Sequence, residues 1–266
     1  MVGALAFLMG AALGSFLNVV VDRVPRGQSV LMPRSRCDAC GTTLALADLV
    51  PILSYLWLRG RCRCCGMRIP LRVPLVEGGT GALFMLFYLH DGLTGGSVLL
   101  ALAAALLLAL ALIDLEHGLV PDRLVLPGAL VALLVSPLWP LLGVERSLGP
   151  LEGALGSALG ALAAGAGALL LFLAVVVLSR GRMGWGDVKL AGLIGLLTGV
   201  PGVAVALWLA IVAGGAAAML LLGLRRRGMK DAIPFAPFLA AGGVAVLLVG
   251  DSIAEWYFHL AWRFGL

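Results

Sequence analysis

The residues with chemistry to offer fall into two sets. The first is thiol: Cys37-Asp-Ala-Cys40 and Cys62-Arg-Cys-Cys65, separated by Gly41 through Arg61. A CxxC knuckle presents two thiolates side by side, and two knuckles at this separation have the donor set of a four-cysteine zinc ribbon. Gly41 and Gly66 follow the knuckles, where the turn suits a residue free to take positive φ. Four protein ligands leave no open coordination position, so zinc held by Cys37, Cys40, Cys62 and Cys65 is structural. The alternative is a group of reduced, unligated thiols. Cys64 is surplus; it stands too close to Cys65 to share a knuckle with it, but could replace a neighbour as ligand.

The second set is carboxylate. Asp114 sits in Ile113-Asp-Leu-Glu-His117 and Asp187 in Gly184-Trp-Gly-Asp187, each where an apolar run meets polar residues. Ionisable groups at such borders are costly and usually functional. Two facing carboxylates can share one proton, because like charges a few ångströms apart do not both ionise cheaply. One then acts as base on a water and the other as acid toward a carbonyl, the chemistry of an aspartic protease. Gly184 and Gly186 would let backbone approach a substrate strand. The competing reading is local: Asp187 caps its helix, and Asp114 caps or solvates a loop. If the two do form a pair, Asp187 lies at a helix N-terminus, where the dipole favours the anion, and Asp114 near a C-terminus. That asymmetry places the resting proton on Asp114.

Other polar residues have bland readings beside any functional one. Glu116, His117 and Asp122 crowd one loop, Asn18 and Asp22 end an apolar run, and Lys189 follows Asp187 by two residues, to pair with a carboxylate or face lipid headgroups. Glu77 is a helix cap, a partner for a loop arginine, or a site residue. There is no Walker-type phosphate loop, no serine–histidine pattern and no HExxH catalytic zinc signature.

The elements that carry these residues are set by composition. The 266 residues are 61% hydrophobic and 12% charged, with a mean hydropathy of +1.07. Soluble domains carry about 25% charged residues, so the bilayer is the expected solvent. The sequence predicts an all-α polytopic membrane protein of about eight transmembrane helices. Spans are expected near 2–21, 74–93, 96–115, 123–142, 153–178, 187–200, 202–223 and 234–250. A small zinc-ribbon-like cytoplasmic insert lies between the first two. The expected organisation is a first transmembrane helix (1–22), the four-cysteine insert (23–73) and a helical bundle carrying the carboxylates (74–266). Of the 19 Lys and Arg, only Arg146 and Arg263 fall on the outer side of this scheme, a strong positive-inside bias. The net charge of +5 therefore reports topology, and no nucleic-acid partner is expected. Asp114 and Asp187 then reach the same cytoplasmic border from different helices. Gly156 and Gly160 at GxxxG spacing suit close helix packing inside the chain, with a homodimer face as the alternative. Residues 251–266, rich in aromatics, read as an interfacial helix or the end of the last span.

Five segments together carry a family resemblance. Gly14-Ser-Phe-Leu-Asn-Val19, the paired CxxC insert followed by Pro74-Leu-Val-Glu77, Asp114-Leu-Glu-His-Gly-Leu-Val-Pro-Asp122, Gly184-Trp-Gly-Asp187-Val-Lys189 and Ile233-Pro-Phe-Ala-Pro237 resemble, in order, the motifs of bacterial type IV prepilin peptidases. The resemblance implies that Asp114 and Asp187 are the catalytic pair of a GxGD membrane aspartyl protease. It implies cleavage of type IV prepilins or type II secretion pseudopilins after a Gly, at the cytoplasmic face of the bacterial inner membrane, with loss of a short basic leader. It further implies N-methylation of the new N-terminus with S-adenosylmethionine, an activity associated with the N-terminal half and with the Glu matching Glu77. The compact insert and the additional Cys64 depart from the family pattern. The rival classes are a zinc-ribbon scaffold or transporter component and a presenilin-like protease. Transporters place polar groups near the midplane, whereas the acids here cluster at one border. A presenilin-like enzyme predicts no cysteine insert.

Overall fold

The computed structural model describes residues 1–144, 153–179, 183–224 and 234–264, with 251–264 described by backbone alone. Arg146, Arg180, Arg182, Arg225, Arg226, Arg227 and Lys230, all used in the charge-bias reading, lie outside these residues. Among the described residues the fold is helical, with no strand beyond two isolated bridges. The helices are α1 (Val2–Arg23), α2 (Leu53–Trp57), α3 (Arg72–Asp91), α4 (Gly95–His117), α5 (Asp122–Val135), α6 (Gly153–Leu178), α7 (Trp185–Thr198), α8 (Gly202–Gly223) and α9 (Ala236–Phe264). Four of them, α1, α4, α6 and α8, are long and apolar enough to cross a membrane. The expected helix over 123–142 stops at Val135 and continues as two short 3-10 turns. Pro137 and Pro140 explain the break, since each removes an amide the ladder needs. The aromatic C-terminal stretch continues α9 to Phe264.

The chain divides into two compact units, Met1–Ala105 and Leu106–Leu266, with the boundary inside α4. In the first unit α1 and α3 pack antiparallel along a seam that only small residues permit. A Cβ on Gly10 would stand 2.6 Å from the Thr80 carbonyl oxygen, and one on Gly14 would stand 2.7 Å from Glu77 Cα. Asn18 Nδ2 donates to the Val73 and Gly14 carbonyls, each at 3.2 Å. Arg72 donates to both oxygens of Asp22 at 2.9 Å, which ties the end of α1 to the start of α3. Between them, residues 24–71 hold only α2 and a 3-10 turn, as the prolines in that stretch require.

The second unit is organised around α7. Leu190, Leu193 and Ile194 are fully buried, and a helix apolar all round belongs in the middle of a bundle. α6 crosses α7 antiparallel at Gly165, Gly192 and Gly195, where a Cβ on Gly195 would lie 2.5 Å from the Ala164 carbonyl oxygen. α8 and α9 form a similar pair, with Gly242 against Ala206 and Gly214 against Phe235. Gly156 and Gly160 are buried within the chain. The C-terminal half of α4 contributes the buried side chains of Leu107, Leu110 and Ile113.

Candidate active site and metal centre

In the second unit three elements converge. Asp114 lies in the last turn of α4 and is 8% exposed. Asp187 is the third residue of α7, half-buried, in the first turn. The two carboxylates lie within electrostatic range of one another. The third element is the start of α9, whose Ala236 amide donates to the Asp114 carboxylate. An amide at a helix start has no intrahelical acceptor, so it is free to serve a side chain from elsewhere.

This geometry changes two expectations. Asp187 is not the cap residue of α7; Gly184 is. Its carboxylate reaches back to the Gly184 amide, the half of a capping box that an acid in this position makes. Asp114 does not solvate a loop, because it is buried and takes an amide from a second helix. With Asp114 facing the N-terminus of α9 and Asp187 at the N-terminus of α7, both carboxylates meet the positive end of a helix dipole. At Asp114 the start of α9 therefore opposes the asymmetry expected from α4 and α7 alone.

The α4–α5 segment and the start of α5 are fastened to the N-terminal part of α7. Lys189 Nζ donates to Asp122 Oδ1 at 2.6 Å. A Cβ on Gly186 would sit 2.8 Å from Val120 Cβ. Val120 thus fills the space that a side chain at Gly186 would need. His117 Nδ1 is buried without a hydrogen-bond partner. Lys189, for which a carboxylate partner is one of two readings, takes Asp122; the Ala236 amide was not legible from sequence, and only the family likeness of Ile233–Pro237 marked that stretch.

In the first unit the sulfur atoms of Cys37, Cys40, Cys62 and Cys65 all lie within 4.8 Å of one another, and Cys37 and Cys65 are 3.8 Å apart. Tetrahedral ligands about 2.3 Å from zinc would stand close to that separation. Each knuckle is built alike. Cys37 N donates to Thr42 O and Gly41 N to Cys37 O; Cys62 N donates to Met67 O and Gly66 N to Cys62 O. Gly41 and Gly66 take φ of 70° and 71°, and Arg36–Thr43 and Arg61–Arg68 bridge across the turns. Hydrogen bonds from the Thr42 side chain and amide pull the Cys40 thiol down to about 6. The Cys65 and Cys64 amides pull Cys62 down likewise. The Met67 amide acts on Cys65 in the same sense, but desolvation and the neighbouring thiols outweigh it and push Cys65 up to about 12. Crowded thiols supported by amides are a donor set that a divalent cation completes. Cys64 stands outside the cluster, 3.6 Å from Thr42 Oγ1.

Glu77 is 4% exposed. It neither caps α3 nor meets a knuckle arginine. Its Oε2 accepts the Ile52 amide at 2.7 Å. One turn away along the same seam, Asn18 Oδ1 is buried with no donor facing it.

Comparison with known proteins places these features in order. Residues 8–90 match the Bacterial Peptidase A24 N-terminal domain, and residues 101–219 match the Type IV leader peptidase family. A Bacillus subtilis protein named prepilin leader peptidase/N-methyltransferase is 36% identical over 97% of this chain and 98% of its own length. Proteins of the same name from Pseudomonas putida and Aeromonas hydrophila are 35% and 34% identical. They cover 94% and 96% of the chain, and 91% and 93% of their own lengths. No solved structure matches.

Proposed function

Because this chain belongs to the type IV leader peptidase family, we propose that it removes the basic leader of a type IV prepilin or type II secretion pseudopilin after a Gly and methylates the new N-terminal residue. It is an enzyme with both activities, as its relatives are named for both. The observation that carries the peptidase reading is the meeting of Asp114 and Asp187 from separate helices, with the Ala236 amide holding Asp114. In this arrangement one carboxylate takes a proton from water. As that water oxygen bonds to the scissile carbonyl carbon, the other gives its proton to the carbonyl oxygen. The first then passes the water's proton to the amine nitrogen as the C–N bond breaks, and the diol hydroxyl returns a proton to the second, which restores the pair. Burial of Asp114 keeps bulk water from competing for its hydrogen bonds.

About eight helices cross the bacterial inner membrane, and the positive-inside bias sets the carboxylates at the cytoplasmic face. The four cysteines hold a structural Zn2+ that closes the insert, which is too small to build a core of its own. S-adenosylmethionine supplies the methyl group when bound. In the first unit Glu77 and Asn18 Oδ1 are buried acceptors, which suit its ammonium and ribose hydroxyl donors. The buried Gly156 and Gly160 favour packing within the chain over a homodimer through that face.

The test is a cleavage assay in lipid with a prepilin carrying its leader, read by product mass. Asp114→Asn and Asp187→Asn run alongside, with and without S-adenosylmethionine. The expected result is leader loss that vanishes in both variants and a methyl mass that needs the donor. Cleavage that survives both substitutions would place the chemistry elsewhere.

A further inference from the structure

The insert carries an apolar face that nothing in the catalytic reading uses. Leu53, Leu56 and Trp57 lie three and four residues apart on α2, hence on one side of it. All three are exposed, Trp57 at 85%. We propose that this face of α2 lies in the headgroup–acyl boundary of an anionic lipid leaflet, with the arginines that follow it on the headgroups. The inference rests on the membrane placement of the first unit proposed above and not on its enzymatic activities.

Depth is the first argument. α2 follows directly on Ile52, whose amide is bonded to Glu77, five residues into α3. Five residues rise about 7.5 Å along a helix. Glu77 packs on Gly14 of α1, a helix long and apolar enough to span. The Asp22–Arg72 pair marks where the two helices end. The chain at Ile52 is therefore folded back past that pair, to the level of the spanning helices. Ile52 is held there at φ 63°, a costly conformation for a β-branched residue, so its position is imposed by the surrounding structure and not by local preference.

Charge is the second argument. Arg59, Arg61, Arg63 and Arg68 follow α2, while Asp38 and Asp48 are the only acids between Arg23 and Val73. Asp48 is already engaged by Arg63 at 2.6 Å. Basic residues beside a Trp/Leu face are the composition of an element lying in an anionic interface. A prepilin leader, being basic, is repelled by the same arginines, which favours lipid over substrate as the occupant.

The experiment uses the full chain in vesicles of phosphatidylcholine and phosphatidylglycerol. The phosphatidylcholine is brominated either near the headgroup or in mid-chain. The Trp57 signal is the difference between wild type and Trp57→Phe. Trp208, exposed on the spanning helix α8, is isolated in the same way with Trp208→Phe. The expected result is Trp57 quenched about twofold or more by shallow bromine over mid-chain bromine and shielded from aqueous iodide. Iodide quenching of Trp57 without bromine quenching, in a protein whose Trp208 is quenched by bromine, would overturn the inference and leave the membrane placement standing. Shielding that appears only when prepilin is added would overturn it in favour of a substrate-docking face. If Trp208 also escapes bromine, the membrane placement fails and the inference with it.

Discussion

The contact between Gly186 and Val120 allows a sharp test of the paired carboxylates. In Gly186→Ala the new Cβ would stand 2.8 Å from Val120 Cβ and 3.0 Å from its Cγ2. Ordinary contact begins at 3.4 Å, so the first turn of α7 and the segment after α4 must part by about 0.6 Å, the difference between 3.4 and 2.8, to reach it. Both sides of the gap are short of slack. Asp187 is the next residue on one side, and on the other Val120 is two residues from Asp122, which Lys189 ties to α7. A misplacement of about 1 Å can lower a rate about 100-fold, equivalent to about 2.7 kcal/mol of barrier. We therefore expect kcat of Gly186→Ala to fall between about tenfold and 100-fold, with KM within about threefold. Helix propensity works the other way, since Ala in a helix is favoured over Gly by about 1 kcal/mol, so the loss is not a melted helix. Val120→Gly removes both offending carbons and leaves the Val120 nitrogen, at 3.5 Å, as the nearest atom. The double variant Val120→Gly/Gly186→Ala should recover most of the lost kcat. Prepilin cleavage followed by mass, with thermal unfolding as the folding control, reads all three proteins. Full activity in folded Gly186→Ala, or a double variant no better than the single, would refute the reasoning.

Other expectations follow from the same geometry. Lys189→Met should lower kcat about tenfold while shifting stability by less than about 1 kcal/mol, because the pair with Asp122 is half-exposed; steady-state kinetics and a thermal melt read the two effects separately. Gly14→Val would drive a branched side chain into Glu77 Cα and the Val76 carbonyl oxygen and force α1 from α3. The methyl mass on the product should be lost before leader cleavage is. The purified chain should carry one zinc by metal analysis, and Cys40→Ser should lose it. After chelation, iodoacetamide at neutral pH should label Cys40 and Cys62 ahead of Cys65. The thiolate is the reactive form, and Cys40 is lowered to about 6 while Cys65 is raised to about 12. Peptide mapping of the labelled chain gives the order, and Cys65 reacting first would contradict it.

Legibility from sequence tracked the range of the interactions. The paired CxxC motifs were readable because each knuckle is a local turn with fixed glycine and backbone needs, met at Gly41 and Gly66. The helices were readable because apolar runs of the length of α4 and α6 admit little else. The break after Val135 was missed although Pro137 and Pro140 announced it; an apolar run across them outweighed the missing amides. Three contacts had no local signal. The Ile52–Glu77 hydrogen bond joins residues 25 apart through a backbone amide, which every residue but proline possesses. The Ala236 amide at Asp114 is equally anonymous in sequence. At Gly186 the pattern marked the residue but not its reason, because Val120 comes from another helix connection.

The glycine seams have a consequence for how the chain comes into being. α6 docks on α7, and α8 on α9, so each helix finds its partner in the next one synthesised. The loop to be closed is short and its entropy small. Such hairpins can settle pairwise as translation delivers them to the membrane. The proposed catalytic pair obeys a different schedule. Asp114 emerges early, waits for Asp187 until α7 is in place, and receives its amide only when α9 begins. On the proposed reading a half-made chain is therefore a silent one, and the site is complete only once the start of α9 has been delivered.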